Sequence, residues 1–126
     1  MSTLKVNTFE EATSGGATYA LNRVWVNFNG EGTVSIRGDH NVSTVTDLGV
    51  GRYRVNYSSS LANANYSAVS TAGSNISDYA AQNNDQDHNS FNGATLTSSV
   101  PVFSVDQDDG AQDDASNMYV ICCGDQ

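Results

Sequence analysis

The stretch DQDDGAQDD, residues 106–114, gathers Asp106, Asp108, Asp109, Asp113 and Asp114 around one glycine. Oxygen-only ligands beside a glycine are what Ca²⁺ takes. A loop of the D-x-D-x-D-G type, however, needs glycine sixth and a bidentate glutamate twelfth. Counting from Asp106, Gly110 is fifth and Asn117 twelfth, so the pattern fails on both counts. An irregular Ca²⁺ or Mg²⁺ site is the alternative. The expectation is a loop between two strands whose aspartates are exposed, ionised and held apart by water.

Other residue types with chemistry in them are sparse. His88 stands near Asp85 and Asp87, and His40 beside Asp39. A histidine against carboxylates can act as a general base or metal ligand, but sequence neighbours on turn-like segments usually share only solvent. Glu10, Glu11 and Glu31 could join aspartates as a glycosidase pair, which needs a groove that a short chain builds with difficulty. There is no G-x-S-x-G elbow, H-E-x-x-H or phosphate loop. Cys122 and Cys123 are adjacent and lack C-x-x-C spacing, so two reduced, packing thiols are expected. No catalytic residue, metal ligand or cofactor is assigned, and the chain is not expected to be an enzyme.

What must position these groups is a chain of 126 residues, enough for one domain with a real core. Ser, Thr and Asn, with eleven glycines and one proline, favour turns and exposed strand faces over helix interiors. All five basic residues lie before position 55, where five acids balance them, so residues 55–126 carry the whole net charge of −9. Such a surface repels nucleic-acid phosphates and anionic membranes, and neither partner is expected. The start of the chain shows no signal-peptide core and no run is long enough to span a bilayer, so synthesis in a cytosol is expected.

Residues 1–22 are expected to form an N-terminal arm and flexible connector, with Leu4, Val6 and Phe9 as a docking peg that adds to a partner's sheet. Residues 23–126 are expected to form a single β domain. In RVWVNFNGEGTVSIRG, Val24, Val26 and Phe28 alternate with Arg23, Trp25 and Asn27, and the alternation resumes at Val34 and Ile36 after an Asn-Gly-rich turn. That is a hairpin. NVSTVTD gives a third strand and GRYRVNY a fourth, with Tyr53, Val55 and Tyr57 on one face. ANYSAVS gives a fifth. Residues 71–98 lose the pattern and form a long irregular excursion in which only SDYAAQ suits a helical turn. SVPVFSV resumes a strand, which Pro101 places at an edge or a strand start. NMYVICC closes as a nearly all-apolar strand, suited to burial on both faces or against a partner. The fold class is all-β, an antiparallel sandwich or open barrel.

The pieces WVNFNG with its following GT, then IR, NVS with VTD, the G-x-Y-x-V-N-Y strand and ANY occur here in fixed order. In this the chain resembles the small β domain recurring in virion proteins of tailed bacteriophages, especially marine ones, usually labelled tail-fibre or structural proteins. STLKVNT, with TSGG soon after, is similar to the start of such proteins. Residues 71–117 match nothing in that family, and MYVICC echoes its last strand only loosely. The resemblance implies a structural role without a cofactor.

The expected function is therefore a non-enzymatic virion protein on the particle exterior, assembled in the host cytoplasm. A capsid decoration or knob packing against capsid or tail chains is favoured. The alternative is a short tail fibre or adhesin tip that meets a host glycan or receptor. Trp25 lies out of phase with its apolar neighbours and is a candidate interface anchor, with Arg23, Met118, Tyr119 and Ile121. Self-association is expected through exposed strand edges, NMYVICC foremost.

Overall fold

A computed structural model describes residues 22–73, 79–82, 96–106 and 110–124. Among the described residues eight strands form: β1 Asn22–Asn29, β2 Ser35–His40, β3 Val42–Gly49, β4 Arg52–Tyr57, β5 Ser67–Gly73, β6 Tyr79–Gln82, β7 Ser99–Asp106 and β8 Asn117–Cys123. They build two antiparallel four-stranded sheets, ordered β2-β1-β8-β5 and β3-β4-β7-β6. This is a β-sandwich, and the sheets do not close into a barrel.

The alternating strands supply the core. Val24, Val26 and Phe28 of β1 and Met118, Val120 and Cys122 of β8 face Tyr53, Val55 and Tyr57 of β4 and Val100 and Val102 of β7. Period-2 side chains require this: once one face of a strand is apolar, burying it fixes the register. Phe28 and Tyr53 meet edge to face across the sandwich, their centroids 5.3 Å apart.

The chain changes sheets between β2 and β3 at Asn41, whose φ of 58° lies in the left-handed region. Asparagine tolerates that conformation better than other side chains. Here its amide also pins the corner, donating to the Ser59 carbonyl at 3.0 Å and accepting from the Ser59 N–H at 2.8 Å.

Three local expectations change. Residues 79–82 of SDYAAQ are strand β6, paired with Phe103–Asp106 of β7, so cross-strand pairing overrides the helix preference of Ala-Ala-Gln. The irregular excursion over 71–98 therefore contains the end of β5 and all of β6.

Pro101 lies in a strand flanked on both sides by others. The N–H of Ser104 and the carbonyl of Ser98 both bond toward β4, so by alternation the Pro101 nitrogen points the other way. On that side the described β6 pairing runs from Tyr79–Asp106 to Gln82–Phe103. A proline there removes no bond of the β4–β7 ladder.

NMYVICC, finally, is a central strand. β1 and β5 occupy both its edges, so it cannot recruit a partner through an edge. Only its outer face is open.

Candidate functional site

The outer face of the β2-β1-β8-β5 sheet carries the exposed aromatics among the described residues. In register, Trp25 stands beside Ile121, and Ile121 beside Val69. They are 41%, 43% and 64% exposed, Trp25 and Ile121 on the two central strands and Val69 on the edge strand β5. Tyr119, 44% exposed, sits in the next row between Asn27 and Thr71. The Trp25 ring lies over Gly38 of β2, where an added Cβ would stand 3.5 Å from it. A shallow depression of about 370 Å³ separates Trp25 and Asn27 from Tyr119 and Ile121. Apolar side chains in one plane, carried by a hydrogen-bonded ladder, form a flat and rigid patch.

Arg37 borders this face. The strand pairing shifts between Asn27 and Phe28, leaving Arg37 as the extra residue of a bulge. Its guanidinium donates to the side-chain oxygens of Asn27 and Asn117 and, at 2.7 Å, to the carbonyl of Ser116. Arg23 donates to the carbonyl of Gly124. Both cations are held by neutral oxygens.

Of the interface candidates, Trp25, Tyr119 and Ile121 share this face and Arg23 lies at its end. Met118 does not belong with them. It is fully buried, because it alternates with Tyr119 and points into the sandwich with Val120 and Cys122. Val69 is the member that sequence reasoning passed over. Its alternation with Ala68 and Ser70 is visible, but its alignment with Ile121 depends on a pairing across fifty residues of chain. Leu4, Val6 and Phe9 lie outside the described residues, as do Asp85, Asp87 and His88.

Asp39 and His40 cannot cooperate. His40 is registered against Trp25 and Asp39 against the buried Val26, so they take opposite faces of β2. His40 instead lines a cavity of about 610 Å³ at one end of the sandwich, with Asn22, Arg23, Asn41, Ser59, Ser60, Leu61 and Ala62. None of the described residues that line it is a carboxylate.

The aspartate loop does something the spacing hides. Asp108 and Asp109 lie outside the described residues. Asp114, expected to be exposed and solvated, is half-buried. Its Oδ1 accepts from the Gly51 N–H at 2.7 Å and from the Tyr53 hydroxyl at 2.7 Å. The loop is seated by two backbone bonds, Asp113 N–H to the Ser104 carbonyl and Gly30 N–H to the Ala115 carbonyl, and by the Ser104 hydroxyl donating to the Asp113 carbonyl. Burial, then the Asp114 hydrogen bond and charge, push the Tyr53 hydroxyl far above the ordinary tyrosine range. Among the described residues, no three His, Cys, Asp or Glu side chains form a group that could hold a metal.

Cys122 packs in the core with its Sγ 3.5 Å from the Tyr57 hydroxyl, and Cys123 on the opposite face donates to Asn22 Oδ1 at 2.9 Å. Burial raises the pKa of the Cys122 thiol.

Compared with protein-family models, curated proteins and solved structures, the chain matches none.

Proposed function

We propose that this chain is a non-enzymatic structural protein on the exterior of a tailed-phage particle. It acts as a capsid decoration or knob that packs against virion chains through the outer face of its β2-β1-β8-β5 sheet. The observation that carries the docking role is the in-register row Trp25–Ile121–Val69, with Tyr119 beside it. Large side chains left open at the centre of a ladder mark an interaction surface more often than a free one. The phage setting is supported by the resemblance of residues 24–69 to phage virion domains.

The test uses purified particles of the phage that encodes the chain. Mass spectrometry and image reconstruction are expected to place it on the particle exterior. Ile121→Lys is expected to fold normally and be lost from particles. A chain absent from wild-type particles would overturn the reading, as would a lysine variant incorporated at wild-type level.

A further inference from the structure

We infer that the occupant of this face is a second copy of the chain, seated face to face about a two-fold axis that runs parallel to the strands. The inference rests on the reading of the same face as a docking surface, and it names the partner.

Charge is the first argument. The chain carries a net charge of −9, yet among the described residues no Asp or Glu stands on an outward position of these four strands. Two copies meeting here bring no carboxylates together. Arg37 sits on the outermost strand, β2. A two-fold axis along the strands of a four-stranded sheet lays β2 over the other copy's β5 and β1 over its β8. The two Arg37 side chains then stand at opposite margins, about 14 Å apart across three strand spacings, beyond a Debye length of about 8 Å.

Shape is the second argument. In that arrangement Trp25 of each copy covers Ile121 of the other, and Tyr119 covers Asn27. The depression between Trp25 and Ile121 receives a side chain from the second copy. Each contact occurs twice, as an isologous interface requires. Area is the third. Four strands of up to eight residues present a face of about 19 Å by 25 Å, so two faces bury on the order of 1,000 Å², the threshold for a specific interface.

Trp25 is the only tryptophan and reports on this face directly. The experiment follows sedimentation and tryptophan emission of the full chain from about 1 μM to 1 mM, with Ile121→Lys alongside and circular dichroism to confirm its fold. Dimerisation accompanied by a blue shift of the emission, with both lost in the lysine variant, is the expected result. A dimer whose emission does not shift, or one that survives Ile121→Lys, overturns the inference by placing the contact elsewhere. A chain monomeric throughout also overturns it. If Ile121→Lys is still lost from particles in that case, the face docks on a different virion chain and the particle reading stands.

Discussion

Replacing Asp114 with alanine is expected to destabilise the fold although the residue lies in an acidic surface loop. The substitution removes two hydrogen bonds to a charged acceptor, from the Gly51 N–H and the Tyr53 hydroxyl. Bonds to charged groups contribute about 1.5–3 kcal/mol each. Asp114 is half-buried and water can reach part of the site, so the lower end applies, about 3 kcal/mol in all. For a chain of this size that corresponds to a fall in Tm of roughly 10 °C. Asp114→Asn keeps an acceptor oxygen without its charge and is expected to lose about half as much. Tyr53→Phe deletes the shared hydroxyl. Combined with Asp114→Ala it should cost less than the two singles summed, by about 1–2 kcal/mol. Urea unfolding of the four proteins provides the assay, with Asp39→Asn as the control. Asp39 is exposed, and its replacement removes the same charge. If Asp114→Ala and Asp39→Asn unfold at the same urea concentration, the clamp does not exist.

Gly51 has a φ of +64°, and an added Cβ would stand 2.5 Å from the Ser104 carbonyl oxygen and 2.8 Å from the Asp113 backbone. Gly51→Ala is therefore expected to cost more than about 3 kcal/mol, and unfolding close to wild type would refute the packing. Asn41→Ala loses both bonds to Ser59 and strains a left-handed residue, an expected loss of about 2 kcal/mol; Asn41→Gly, relieved of the strain, should lose less in thermal melts. Tyr53 and Tyr57 are both held protonated, chiefly by burial, with folded pKa values above the ordinary value of 10.0. Above pH 10 the unfolded chain releases these protons and the folded chain keeps them, so stability, complete below pH 10, falls as pH rises, by about 1.4 kcal/mol per unit for each tyrosine. A Tm unchanged between pH 10 and 11.5, or a Tyr53→Phe variant with the same alkaline slope, would contradict this.

The sequence alone determined the all-β class, the alternation of β1 and β4, and the hairpin that joins β1 to β2. Those features are local: period-2 burial and turn chemistry act within a few residues, so they can be seen without knowing any partner. It also singled out Trp25, because a large residue out of phase with its strand's apolar face points away from the core, whereas Tyr119 and Ile121 stand out only as members of the apolar run NMYVICC. It misassigned Met118, since a run apolar at nearly every position does not say which alternate residues turn inward.

Tertiary structure decided the rest. The central position of β8, the alignment of Val69 with Ile121 and the strand at 79–82 all follow from which strand pairs with which, a choice made across long stretches of chain. The same holds for the acidic loop. Its composition suggested mutual repulsion and hydration, but Asp114 bonds groups 61 and 63 residues away. A carboxylate's role depends on the donors the fold brings to it, and a run of like charges carries no record of those donors.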